Sequence, residues 1–212
     1  RHAMSVSGNM SSSFGGQNVA GIILAAGRSS RFGEIKQLLP WREKNLLNTV
    51  IETAKLSGLN PLIVVLGADA DLVRATIAED SVKVVINRDW GMGQSTSLKA
   101  GLRAIRTQVQ GAIFLLADQP QMSVNLVSCV VEEGLRTNKV IVPVIDDRRG
   151  NPVYFPEACF DQFDQLEGDV GGRQIISACP HSTLPWLDEW MSEDIDTPED
   201  YQRLCAHFGI KP

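Results

Sequence analysis

Three cations, Arg28, Arg31 and Lys36, sit in or just after a run of small residues that contains Gly27, Ser29, Ser30 and Gly33. Glycine and small side chains let a backbone turn sharply and leave N–H groups free as anion donors. Guanidinium and ammonium groups add charge-assisted donors, and together these suit an oligophosphate. The plainer alternative is an ordinary strand-to-helix loop with solvated charges. Asp118 follows an apolar run and precedes Gln119-Pro120. A carboxylate there could hold Mg²⁺, which prefers hard oxygens and phosphates, or could simply be a turn or cap aspartate. In the stretch 87–97, Gly91 and Gly93 precede a Ser/Thr-rich helix start. That pattern suggests close backbone approach to a ligand, or a tight turn with Ser95 as N-cap.

The elements that must position these residues alternate. Apolar runs at 19–25, 62–66, 82–86, 112–116 and 140–144 read as strands. Helical spacing falls at 46–57 (Asn45 as N-cap), 69–79, 94–106 and from Ser123 to about 136. Continuous apolar strands alternating with helices indicate an α/β fold whose mainly parallel, doubly wound sheet is covered on both faces. Ligands of such sheets bind outside the carboxyl ends of the strands. Gly27, Gly67, Asn87 and Asp118 each follow a strand, where that rule looks. The last third is less regular: a strand is expected at 153–155, helices at 157–163 and 172–178, a strand at 182–187, and a closing helix at 198–208 started by Thr197. It reads as a short antiparallel, substrate-side extension of the same sheet, so that 19–212 form a single domain.

At 212 residues, 43% hydrophobic and 21% charged, the composition is that of a globular protein. A net charge of −5 argues against general nucleic-acid binding. The four cysteines, Cys129, Cys159, Cys179 and Cys205, lack C-x-x-C spacing and read as reduced thiols of a cytoplasmic protein. His2, His181 and His207 fall in no chemical motif, and neither G-x-S-x-G nor H-E-x-x-H occurs. No apolar run approaches the roughly 20 residues of a membrane span. Residues 1–18 are Ser-, Gly-, Asn- and Met-rich without an apolar period, and read as a disordered leader whose first four residues fit a cloning remnant.

Taken whole, Leu24-Ala-Ala-Gly-Arg-Ser-Ser-Arg-Phe-Gly-Glu-Ile-Lys36 closely resembles the L-A-A-G-x-S-x-R-F-G-x-x-K signature of the MobA-like nucleotidyltransferases. It is most similar to the molybdenum cofactor cytidylyltransferases, in which L-A-A-G accompanies D-Q-P; Ala26 and Gln119 follow that pattern. The resemblance implies a Rossmann-like nucleotidyltransferase that moves CMP from CTP to a phosphorylated acceptor, a molybdopterin-type cofactor, and releases pyrophosphate. Arg31, Lys36 and Asp118 would be catalytic. Leu24, Ala25, Ala26, Gly27, Arg28 and Ser29, with Gly67, Asn87, Gly93 and Ser95, would bind nucleotide. Asp118 would bind Mg²⁺, joined by Asp196 of the I-D-T-P-E-D stretch, although Asp and Thr before Pro also make a good helix start.

Arg149-Gly150-Asn151-Pro152 is similar to the family's R-G-x-P, with Asn151 where histidine is frequent. The stretch 168–173 is similar to G-D-x-G-A-R, with Gly172 replacing alanine; Asp169 and Arg173 would join the acceptor side. Implied partners are CTP, the phosphorylated acceptor and a molybdoenzyme or its chaperone, with the protein a monomer that binds neither nucleic acid nor membrane. The alternatives are a related transferase acting on a sugar or polyol phosphate, and a non-catalytic accessory protein that hands cofactor to a molybdoenzyme.

Overall fold

The computed structural model describes residues 18–78, 80–105 and 107–212. The expected leader, apart from Asn18, lies outside the described residues. In chain order the elements are β1 (Val19–Ala25), the hairpin strands β2 (Pro40–Trp41) and β3 (Lys44–Asn45), α1 (Leu46–Leu56), β4 (Leu62–Leu66), α2 (Ala70–Arg74) and β5 (Val82–Ile86). There follow α3 (Gln94–Arg103), β6 (Gly111–Leu116), α4 (Val124–Thr137), β7 (Val140–Ile145), β8 (Arg148–Arg149), β9 (Val153–Pro156), α5 (Arg173–Ala178), β10 (His181–Trp186) and α6 (Pro198–Phe208). Short 3-10 turns occupy Lys36–Leu38, Trp90–Met92, Glu157–Gln165 and Glu189–Ser192.

The main sheet runs β10-β7-β9-β6-β1-β4-β5, with β8 paired to β7. β1 is flanked in parallel by β4 and β6, β4 pairs in parallel with β5, and β10 with β7. The antiparallel part lies inside the sheet, not at its rim: β9 is inserted between β6 and β7 and runs against both. The two-residue side-chain period of each strand divides the core. Val19, Ile23 and Ala25 of β1, with Leu62, Val64 and Leu66 of β4, pack under α1 and α4. Ala20 and Ile22, with Ile63 and Val65, face α3 and α5 instead. Burial on both faces explains why these strands read as unbroken apolar runs. A third cluster, Trp41, Leu46, Ile195, Tyr201 and Leu204, seats α6 against the β2–β3 hairpin.

Caps fix several boundaries. Asn45 and Ser123 accept from the backbone N–H of Asn48 and Leu126, and start α1 and α4. Thr197 and Asp200 form a reciprocal capping box at α6, with Pro198 in its first turn. The helix expected over 69–79 is only Ala70–Arg74, and residue 79 lies outside the described residues. Thr76 explains the early end: its hydroxyl donates to the Val73 carbonyl, and its own carbonyl accepts from the Asn48 amide. Likewise α3 stops at Arg103, and residue 106 of the expected helix is outside the described residues.

Tyr154 of β9 is fully buried and packs against two glycines, Gly111 and Gly134. A Cβ at Gly134 would stand 2.2 Å from the ring. Alanine is the better helix former by about 1 kcal/mol, but forcing volume into a packed core costs about 1–3 kcal/mol. Gly134→Ala should therefore be destabilised in urea unfolding. A variant more stable than the parent would show that the ring yields freely.

Candidate active site

Beyond the carboxyl end of β1 the chain turns at Gly27 and closes a loop back to Lys36. The loop is held from within. Ser29 Oγ accepts from the Lys36 N–H at 2.9 Å. The buried Gln37 amide donates to the carbonyls of Ala25 at 3.0 Å and Gly27 at 3.2 Å. Gln37 thus fixes the turn from below, and no local pattern in the sequence marks it. Arg28, Ser29, Ser30, Arg31, Phe32, Lys36 and Asp196 surround a hollow of about 250 Å³ over the loop.

Lys36 is where the separate segments meet. Its ammonium lies 3.0 Å from Asp118 Oδ2 and 3.5 Å from Asp196 Oδ1. Asp118 comes from the end of β6, and its backbone carbonyl accepts from the Ile195 N–H at 3.1 Å, which pins the segment bearing Asp196 beside it. Asp196 does not cap α6; Thr197 does, so the Asp196 carboxylate remains turned to Lys36. Asp194 joins this negative cluster. Gln119 Nε2 donates to Asp194 Oδ1 at 2.7 Å in a partly buried bond. Desolvation first, then the Asp118 charge, pushes the Asp194 carboxyl up to about 6 from an ordinary 3.8, against the Gln119 hydrogen bond; Asp196 adds to the rise.

A cavity of about 440 Å³ adjoins Lys36. Leu24, Ala25, Ala26, Gly27, Arg28, Gly93, Asp118 and Asp169 line it, together with Gln37, Trp90, Gly91, Gln94 and Ser97. A second, of about 430 Å³, shares Leu24, Gln94, Leu116 and Asp169 with it and is walled by Phe114, Phe155, Arg149, Gly150, Asn151 and Arg173. Pro152 follows Asn151 through a cis peptide. A third, of about 520 Å³, continues from Arg149, Gly150, Asn151 and Arg173 to Arg148, Gln119, Ser192 and Asp194.

Three residues expected at the nucleotide lie behind the cavity wall. Gly67 is pressed under Trp90, where a Cβ would come 2.7 Å from both the Trp90 side chain and the Ala26 carbonyl. The Asn87 amide donates to Thr96 and Ser97 hydroxyls, at 2.8 and 3.0 Å. Ser95 is not the N-cap of α3, which is Gly93; its hydroxyl donates to the Gly168 carbonyl at 2.7 Å. The α3 N-terminus is thus capped by a distant loop, since Asp169 also accepts from the Gln94 N–H at 3.3 Å. Gly93 is required at this contact, with φ of 114° and no room for a Cβ, which would fall 2.1 Å from the Gly168 backbone. Asp169, expected on the acceptor side, therefore faces both cavities.

The profile of the MobA-like NTP transferase domain matches residues 21–183. The chain belongs to this family. It is 32% identical over 201 residues to nicotine blue oxidoreductase of Paenarthrobacter nicotinovorans, covering 88% of this chain and 96% of that one. It is 29% identical over 181 residues to the molybdenum cofactor cytidylyltransferase of Escherichia coli (strain K12), with 85% and 92% covered. Among solved structures, Rv0371c of Mycobacterium tuberculosis H37Rv is 31% identical and superposes with a TM-score of 0.81 over 90% of this chain and 98% of that one. Its complex with manganese superposes at 0.77, with 31% identity over 89% and 98%. The mostly parallel sheet is thus the nucleotidyltransferase fold. No described helix is long and apolar enough to cross a membrane.

The raised Asp194 carboxyl has a definite linkage. Between an unfolded value near 3.8 and a folded value of about 6, the native protein holds more protons than the unfolded chain. That contribution to stability is therefore greatest at low pH and is lost as pH rises through about 6. Asp194→Asn should remove it, so the difference in urea midpoint between wild type and variant should move in the variant's favour from pH 4 to pH 7. Parallel pH profiles would contradict the burial and charge argument.

Proposed function

We propose that this MobA-like nucleotidyltransferase moves the cytidylyl group of CTP onto a phosphorylated acceptor of the molybdopterin type and releases pyrophosphate. The observation that carries the reading is the meeting of Lys36, Asp118 and Asp196 where the basic loop opens onto adjoining cavities. Arg28, Arg31 and the Gly27 turn would take the triphosphate. Leu24, Ala25, Ala26 and Gly93 would border base and ribose, with Ser29, Gly67, Asn87 and Ser95 holding those surfaces in place. Arg149, Gly150, Asn151, Pro152, Asp169 and Arg173 would face the acceptor.

Asp118 and Asp196 would hold a divalent cation, which we take to be Mg²⁺. Two hard-oxygen donors from separate segments already converge on one positive centre, the Lys36 ammonium. This fits Mg²⁺, which commonly takes one or two carboxylates and completes its shell with water and phosphate oxygens. When bound, the cation supplies charge neutralisation at the phosphates. The manganese complex of the related Rv0371c supports a divalent ion in this fold.

In the reaction an acceptor phosphate oxygen attacks the α-phosphorus of CTP. The bond from that phosphorus to the α–β bridging oxygen breaks, and pyrophosphate leaves with the electron pair. The nucleophile is already anionic, so the protein needs no general base. Its work is to align the two phosphates and offset the growing negative charge. Lys36 and the arginines do so from the loop.

Pyrophosphate release with CTP or GTP, against molybdopterin-type and simple sugar-phosphate acceptors, tests the reading. The relative named as an oxidoreductase makes the control essential: a chain that binds nucleotide without transferring it would release no pyrophosphate with any acceptor. Asp118→Asn should reduce kcat about a hundredfold while changing CTP affinity severalfold at most, because the charge it helps offset grows in the transition state. Equal losses in both would place Asp118 in ground-state binding alone. CTP should also be preferred to GTP, because the buried Ala26 methyl narrows the nucleotide cavity. Ala26→Gly should narrow that preference, and titrations showing equal CTP and GTP affinity in the wild type would defeat the assignment.

A further inference from the structure

Gln119 sits in the wall of the cavity lined by Arg148, Arg149, Asn151, Arg173 and Asp194, and only 2% of it is exposed. Its orientation is set by one contact: Gln119 Nε2 lies 2.7 Å from Asp194 Oδ1 and donates to it. The carbonyl end is left over. Gln119 Oε1 is buried and has no hydrogen-bond partner among the described residues. Buried polar atoms are nearly always paired, so one left without a partner on a residue of a cavity wall calls for a reason. Arg149 and Arg173 form no ion pair among the described residues, and Arg148 makes only a 3.9 Å contact with Asp146. Gln119 is absent from the lining of the cavity that contains Ala26 and Gly27.

We propose that Gln119 reads the acceptor and not the nucleobase: its open carbonyl takes a hydrogen bond from an N–H or O–H of a ligand whose anionic group is held by the arginines. The inference rests on the reading that this side of the site holds the acceptor. It narrows the acceptor to an anion with a donor edge within reach of its charge. A lactam heterocycle and a polyol phosphate share that chemistry. A purely aromatic or ether-linked phosphate lacks it.

Two matched pairs of probes test this by equilibrium binding to the intact chain. In the first, 6-carboxypterin carries lactam and amino donors, and 1,3-dimethyllumazine-6-carboxylate is a bicyclic anion of similar size with those donors removed. In the second, glucose 1-phosphate carries hydroxyl donors and phenyl phosphate has none. In the wild type, the donor-bearing member of at least one pair should bind about tenfold or more tighter than its partner, the scale of one hydrogen bond to a buried acceptor. The pair that shows the gap identifies the source. Gln119→Met keeps the side chain's length but has no carbonyl, and should close the gap while CTP affinity stays within about twofold.

No gap in either pair, or a gap that survives in Gln119→Met, overturns the proposal. So does a Gln119→Met variant whose main change is in the choice between CTP and GTP. The binding gap is measured without turnover, so it is separate from the transfer reading. A chain that shows the gap but releases no pyrophosphate loses the transferase reading alone. A chain that releases pyrophosphate without the gap loses only the role of Gln119.

Discussion

A single ammonium group keeps the mouth of this sheet in order. Asp118 and Asp196 arrive from segments far apart in the chain, and their carboxylates would repel one another if nothing stood between them. Lys36 stands there, 3.0 Å from one and 3.5 Å from the other. Its own placement depends on Ser29 and Gln37, which fold the basic loop so that Lys36 comes back over the end of β6. The α6 capping box matters for the same reason: with Thr197 and Asp200 closing the helix, Asp196 has no competing duty. A cation between the two carboxylates is therefore part of the fold itself, supplied by the Lys36 ammonium.

A second constraint joins the two ends of the site. Gly93, the N-cap of α3, has no side chain to offer, and the loop carrying Gly168 and Asp169 supplies the missing partners. The fit is close enough that position 93 admits only glycine. The loop carrying Gly168 and Asp169 and the start of α3 are thus one packed unit, and a disturbance of either reaches the other through backbone contact.

Much of this was legible in the sequence because burial on both faces leaves a plain signature. The bounds of β1, β4, β5 and α6 in the structure are those expected from apolar runs and caps. The basic loop, Asp118 and Asp196 were legible from residue type, spacing and family resemblance. Other parts left no local trace. The β2 and β3 strands have two residues each, too few for a period. The early end of α2 depends on Asn48, a residue on another helix. Gln37, Gln94 and Asp194 earn their places through long-range contacts, and Ser95 looked like a cap because its true partner lies 73 residues away. Local pattern was readable; the tertiary duties of individual polar side chains were not.

The insertion of β9 into the middle of the sheet has a consequence for synthesis on the ribosome. β6 and β7 are both complete before Val153–Pro156 exists, yet neither pairs with the other; each waits for the strand that will separate them. During that interval the nascent chain presents the β6 flank as an open, apolar template, the kind of surface on which strands of other chains add. β7 gains an early partner in β8, which stays paired to it in the finished sheet, through the tight Asp146-Asp147 turn, whose two residues both adopt the left-handed backbone. The β6 flank has no such early partner among the described residues. Its protection comes only when β9 emerges, so the vulnerable period of this protein is set by the stretch of chain between the two strands and by the speed at which it is translated.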